Sequence, residues 1–335
     1  MGEKTVGRKR KILLFAVTNL ISFACLIYAL RDVRWADLQD DLRTMNWWWV
    51  IIAVVADIAV YCWHGLRWSL LLRPLAPVSF GKTVQAVYVG LFTNEVLPLR
   101  VGELVRCYLI GRWSGLPFSV TLSTALIERV FDGIWLSVCL FATLLYVPFP
   151  KEFRYVVGLG YFTAATALVL ALFLALAMFN RDRALKMLGG DGWRRTVRVL
   201  IEDLYQIGHS RYLYFSFIQS LPYLLLSTIP IYASMLGYGF DFSIGIAFAV
   251  MVVLRVGSVL PQAPGNIGVY QLLARESLEK IFNVVPKEAA RFSLVLWGVV
   301  TIPLLVGGFI ALLATEASLG ELRRAARKEA QASQR

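Results

Sequence analysis

Residues 94–110 read NEVLPLRVGELVRCYLI. Apolar segments flank the stretch on both sides, yet it carries Glu95, Arg100, Glu103 and Arg106 beside Pro98 and Gly102. Pro98 has no backbone N–H and disfavours helix at Leu97, so a helix arriving from the N-terminal side is predicted to stop there. Gly102 permits a sharp turn, and a second helix is predicted to start near Glu103. The first N–H groups of such a helix lack intrahelical partners and carry the positive end of its dipole, which suits an anion. Irregular backbone at membrane depth is tolerated only where it is buried in protein or lines a watery cavity. The stretch therefore reads as the tip of a broken helical hairpin.

The rest of the chain supports a membrane setting. Of 335 residues, 58% are hydrophobic and only 17% charged, against the quarter usual in soluble domains. Runs of about 20 apolar residues, enough to cross a hydrocarbon core of about 30 Å, recur along it. The net charge of +12 is concentrated in Lys4 to Lys11, in 181–211 and in Arg323 to Lys328, beside apolar runs rather than in a basic stripe with interleaved aromatics. That distribution orients a membrane protein and argues against nucleic acid as a partner. Cys25, Cys62, Cys107 and Cys139 form no CxxC pair, so neither a disulfide framework nor a metal site is indicated.

Full spans are predicted over about 12–30, 47–70, 118–147, 155–180, 212–236 and 289–315. The loop 181–211 holds seven Lys or Arg and is assigned to the cytoplasm, which places both termini there as well. A basic N-terminus (1–11), one transmembrane domain (12–316) and a charged tail (317–335) are thus expected in the cytoplasmic, or inner, membrane. Two segments, 80–113 and 242–283, fit paired half-helices better than lipid-facing spans, although each also fits two full spans. The fold class is all-α and polytopic: about six full transmembrane helices with two broken, re-entrant hairpins.

The second hairpin contains GSVLPQAPGNIGVYQLL at 257–273, which aligns with the first at a shift of 163 residues. Val96, Leu97, Pro98, Gly102 and Leu109 fall on Val259, Leu260, Pro261, Gly265 and Leu272. Repeat 1 is about 12–147 and repeat 2 about 155–316, and three intervening spans make the topology inverted. Broken helices in such proteins meet near the midplane and form the substrate site. Pro261, Pro264 and Gly265 are expected to break the second helix, with Asn266 as its N-cap.

The ionisable residues at membrane depth are the candidates for function. Arg100 lies at the first tip and Arg106 one turn into the new helix. Glu103 fits two roles, capping its helix while pairing with Arg106, or contacting a ligand. In ALIERVFDGIWL, Glu128 and Asp132 share a helix face, and Arg129 is expected to pair with Asp132 or Glu103. Arg255 is the one charge in its half-helix and is expected to face a cavity. Arg67, near a span end, fits a snorkelling role; His64 reads as packed, and Asp57 as a lone mid-span carboxylate. No P-loop, HExxH, GxSxG or metal-ligating cluster is present, so neither a cofactor nor a catalytic motif is indicated.

At LPLRVGELVRCYLI, ALIERVFDGIWL and LPQAPGNIGVYQ the chain resembles the lysylphosphatidylglycerol synthase transmembrane-region family, the flippase-like domain proteins. The ordered set Asn94, Pro98, Gly102, Glu103, Arg106, Glu128, Arg129, Asp132, Pro261, Pro264, Gly265 and Gly268 carries the resemblance. It implies an integral membrane protein whose best-understood relatives join this region to a soluble aminoacyltransferase domain and move the aminoacylated lipid between leaflets. That domain is not in this sequence, and stand-alone relatives are associated with glycolipid or polyprenyl-linked sugar pathways. The resulting expectation is a flippase for a lipid with a phosphate-bearing, anionic headgroup. Arg100, Arg106, Arg129, Arg255, Gly102, Gly265 and Asn266 would bind that headgroup, and Glu103, Glu128 and Asp132 would orient the arginines. A membrane enzyme, or a partner that holds a lipid- or glycolipid-modifying enzyme, is the alternative.

Overall fold

The computed structural model describes residues 17, 19–97, 101–179, 205, 207–208, 210–258 and 263–315, with 320–321, 324–325 and 328. The basic N-terminus, most of the loop 181–211, most of the tail, and the break residues Pro98, Arg100 and Pro261 lie outside the described residues.

Every regular element among them is helical. In chain order these are α1 (Asn19–Leu30), α2 (Trp35–Thr44), α3 (Trp47–Leu72), α4 (Phe80–Val96), α5 (Gly102–Ser114), α6 (Phe118–Tyr146) and α7 (Arg154–Phe179). After the loop come α8 (Arg211–Leu226), α9 (Thr228–Tyr238), α10 (Ile244–Gly257), α11 (Val269–Glu276) and α12 (Pro286–Leu313). A π turn, Ser277–Ile281, extends α11. Polar residues start several helices as N-caps should. Asn46 accepts the Trp48 N–H ahead of α3, Ser79 the Lys82 N–H ahead of α4, and Ser210 the Tyr212 N–H ahead of α8.

Four segments are long and apolar enough to cross a membrane: Trp47–Leu72, Arg154–Leu176, Arg211–Tyr238 and Pro286–Leu313. In α3 only 33% of the most apolar window is buried inside the protein. Val55, Ile58, Leu145, Leu168, Phe309 and Ile310 are exposed, a surface that water would not tolerate but lipid covers. The chain is an all-α polytopic membrane protein. The third of these segments is not one straight helix: it carries Pro222 and breaks at Ser227, where α9 begins.

The two hairpins lie inside this frame. Helices α4 and α5 have 17 and 13 residues, lengths of about 26 and 20 Å, so neither crosses a 30 Å core alone. They pack closely because both contacts are glycines: a Cβ on Gly102 would overlap the Gly90 carbonyl and lie 2.7 Å from the Asn94 Oδ1. That Oδ1 accepts the Gly102 N–H at 2.7 Å, so one of the free donors of α5 is already satisfied. In the second hairpin, α10 has 14 residues and α11 eight. Here the sequence expectation is corrected. Gly265 does not open the returning helix, and Asn266 does not cap it. Pro264–Asn266 form a 3₁₀ turn with Gly265 at φ 76° and Asn266 at φ 53°. The helix starts at Val269, with Gly268 as N-cap at φ 95° and its N–H held by the Gln271 side chain at 2.7 Å.

The two breaks touch. Asn266 Nδ2 donates to Glu95 Oε1 at 2.7 Å, and the Trp297 indole donates to the Gly265 carbonyl at 2.8 Å. Helix α1 closes over the second break, where Ser22 Oγ accepts the Ala263 N–H at 2.9 Å.

Candidate functional site

Six ionisable residues, Arg67, Glu103, Arg106, Glu128, Arg129 and Asp132, assemble into one network where α3, α5 and α6 converge. Glu128 on α6 is its centre and is 0% exposed. Its Oε2 accepts from Arg106 on α5 at 2.8 Å, and its Oε1 accepts from Arg67 Nε on α3 at 3.3 Å. Four residues further along α6, Asp132 takes the same Arg67 guanidinium in a two-pronged pair. The i, i+4 spacing of Glu128 and Asp132 puts both carboxylates on the face turned to α3. Arg67 is completed by Ser220 Oγ of α8 at 3.1 Å and lies 4.6 Å from the Tyr223 ring centroid.

Arg106 is 2% exposed. Besides Glu128 it donates to Glu103 at 2.7 Å, stands 3.2 Å from His64 Nε2, and stacks 4.5 Å above the Trp68 ring. The i, i+3 pairing of Glu103 with Arg106 read from the sequence is present, and Glu103 also reaches Arg129. Arg129 bonds both Glu103 and Asp132, so the two partners foreseen for it as alternatives are occupied together.

Arg67, Arg106 and Arg129 balance Glu103, Glu128 and Asp132 one for one. Buried ions persist only when paired and hydrogen-bonded; every charge here is paired, and Arg106 Nη2 is the one buried atom of the network without a hydrogen bond among the described residues. Exposure divides the network in two. Arg67, Arg106 and Glu128 are sealed, whereas the Arg129 side chain is 46% exposed and its two carboxylates are partly so. Arg129 lines a lateral groove of about 130 Å³ between α6 and α7, with Thr163 and Thr166 on the opposite wall. The Gly133 Cα lets α7 approach there, since a Cβ would meet the Ala167 methyl at 2.9 Å.

The remaining predicted positions fall elsewhere. Arg255 on α10 donates to Ser227 Oγ at 2.8 Å and to the Tyr223 hydroxyl at 3.4 Å, 5.4 Å from that ring. It faces protein rather than lipid, and Tyr223 lies between it and Arg67. Gly265 and Asn266 belong to the contact between breaks, remote in role from the arginines. Arg106 is enclosed by its partners and lies behind Glu103 and Glu128. The residue that sequence reasoning misplaced is Arg67, expected at an interface and found fully buried. A signal existed: Asp57, Tyr61, His64 and Trp68 follow i, i+4, i+7, i+11 spacing on α3, a polar and aromatic stripe that Arg67 adjoins. Among the described residues no group of three or more His, Cys, Asp or Glu is placed to hold a metal ion.

Residues 15–308 match the family model described as Lysylphosphatidylglycerol synthase TM region. The chain is 21% identical over 283 residues to a UPF0104 membrane protein of Methanothermobacter thermautotrophicus, covering 78% of this chain and 82% of the relative. It is 27% identical over 142 residues to a UPF0104 membrane protein of Methanocaldococcus jannaschii, covering 42% and 41%. A third relative, named glycosyltransferase AglD, of Haloferax volcanii, is 22% identical over 313 residues, covering 80% of this chain but 49% of the relative.

Proposed function

The chain belongs to the lysylphosphatidylglycerol synthase TM region family, and from that premise we propose that it moves a lipid with a phosphate-bearing headgroup between the leaflets of the cytoplasmic membrane. The observation that carries the reading is Arg129. It is an arginine at membrane depth, half-exposed in a lateral groove, held by two partly exposed carboxylates on the rim of a sealed ionic core. A phosphate diester entering between α6 and α7 meets a guanidinium suited to bidentate contact. The hydroxyl of Thr166 supplies a further donor, while that of Thr163 donates to the Leu159 carbonyl. Displaced from Arg129, Glu103 keeps Arg106 and Asp132 keeps Arg67, so no carboxylate is stranded when the headgroup binds. Arg106, Arg67 and Glu128 hold the geometry; Arg255 and Arg100 stand as further headgroup candidates on the transport path.

The test is leaflet exchange of labelled lipids in proteoliposomes. Arg129→Ala is expected to lower headgroup-dependent exchange by about tenfold or more, the loss of one charge-assisted contact, while the protein stays folded. Arg129→Lys should restore part of it. Full exchange in folded Arg129→Ala would overturn the assignment. A second reading has one observation in its favour, the relative named a glycosyltransferase: a membrane component of glycolipid assembly, itself catalytic or holding a partner enzyme. Product formation by the purified chain, with lipid exchange absent, would favour it.

A further inference from the structure

Asp57 belongs to none of the ion pairs described above. It sits ten residues before Arg67 on α3, about 15 Å along the axis, well inside the span Trp47–Leu72. It is 5% exposed, and its Oδ2 has no hydrogen-bond partner among the described residues. The titratable and charged groups that act on it are Tyr61 one turn on along α3, Tyr88 of α4, Arg255 of α10 and Tyr270 of α11. Arg255 is the only cation in that set, and its hydrogen bonds go to Ser227 and Tyr223 instead.

Among the described residues the other buried carboxylate, that of Glu128, is answered by two arginines. An ionised carboxylate with a bare oxygen at the same depth is costly, and such a group takes a counter-ion or a proton. Too few oxygens surround Asp57 to replace the shell of a metal ion: the neighbours offer phenols, and no carboxylate cluster is present among the described residues. We propose that Asp57 is a proton-binding site in the plane of the membrane, taking a proton on Oδ2 in one state and releasing it in another. Its neighbours give that change a consequence. With Asp57 neutral, Arg255 is held by Tyr223 and Ser227; with Asp57 ionised, Arg255 is drawn toward it. Arg255 and Arg67 flank the same Tyr223 ring, whose centroid is 5.3 Å from that of His64. Movement of Arg255 is therefore felt at the ionic core, and α10 leads directly into the second break.

Protonation itself is independent of transport; its use as the coupling step rests on the flippase reading. The first measurement separates them. Dicyclohexylcarbodiimide modifies protonated carboxyls in apolar surroundings, and peptide mass spectrometry on the full chain in liposomes locates the adduct. Modification at Asp57 is expected near neutral pH, falling at least tenfold at high pH, with Glu128 unmodified throughout. No adduct at Asp57 in folded protein, or an adduct independent of pH, overturns the proposal. Protection by sodium at constant pH also overturns it, in favour of a cation. In the second measurement a pH gradient is imposed on exchanging proteoliposomes. Asp57→Asn, close in size and permanently neutral, is expected to abolish acceleration by the gradient while gradient-free exchange persists. Full gradient response in Asp57→Asn rejects the coupling role. A wild-type protein that exchanges no lipid rejects the flippase reading, and the labelling result then decides protonation alone.

Discussion

Glu128 shows how much of this site rests on a single side chain. Two arginines at 0% and 2% exposure meet there, and its removal leaves three arginines to two carboxylates, one positive charge of the network unanswered. Glu128→Ala is expected to cost about 3–5 kcal/mol, the range for breaking a buried pair. Its signature would be a large drop in the thermal unfolding temperature in detergent, with poor recovery of folded protein. Asp40→Ala, removing an exposed partner of Arg43 on α2, should move the same transition by less than about 1 kcal/mol. Equal effects would mean that the core is not what holds α3, α5 and α6 together. At this scale the sequence was informative about acids and less so about bases. Glu103, Glu128 and Asp132 were identifiable because carboxylates at membrane depth need partners. Arg67 was hidden because its place near a span end also suits snorkelling, and only the three-dimensional approach of α6 distinguishes the two.

Helices are where sequence and structure agree best. The predicted span 47–70 is found at Trp47–Leu72, and 118–147 at Phe118–Tyr146, because hydropathy fixes length and Asn46 or Pro117 marks the start. The second break departs from the sequence pattern. Alignment on the first break carried the helix start to Gly265, but Gly268 lies three residues on with a positive φ, and its Cα packs so closely on the Ser22 carbonyl that a Cβ would overlap it. The tertiary contact with α1, absent from any local pattern, delays the helix to Val269. The same logic gives a prediction for the first hairpin. Gly102→Ala puts a methyl into the Gly90 carbonyl and must separate α4 from α5, lowering stability and disturbing Arg106 one turn later. Gly158→Ala on α7 meets nothing within 4 Å and should stabilise by up to about 1 kcal/mol through helix propensity. Opposite shifts in unfolding temperature for the two substitutions are the expected result; a neutral Gly102→Ala would show that the hairpin is not packed this tightly.

Across the whole molecule, the contacts at helix ends sort into two groups. At one end, Arg291 of α12 pairs with Asp37 and Asp41 of α2, Tyr238 of α9 donates to Asp41, and the Asn46 N–H reaches the Gly237 carbonyl at 2.9 Å. Asp32 and Arg275 meet there as well, and the hydrogen bond from that guanidinium holds the Asp32 carboxyl below the usual carboxylate range. At the other end, Arg73 lies 5.2 Å from the Tyr212 ring and Gln85 donates to the Ala311 carbonyl at 3.2 Å. The positive-inside rule, applied to the sequence 181–211, predicts that the second group is cytoplasmic and the first outside. Every contact named joins residues at the same end of the helices. The first hairpin starts beside the Arg73 group and the second beside the Arg291 group, and they touch through Glu95 and Asn266. Sidedness itself is open to direct measurement. In intact cells an impermeant maleimide is expected to label Asp241→Cys, between α9 and α10, while Ala76→Cys, between α3 and α4, labels only after permeabilisation. Labelling of both from outside would mean that the hairpins enter from one side, and the inverted repeat would fall with it. The reverse pattern would keep the repeat and turn the protein over, placing the Arg129 groove and the Asp57 site in the same fold but opposing the direction in which a proton gradient drives them.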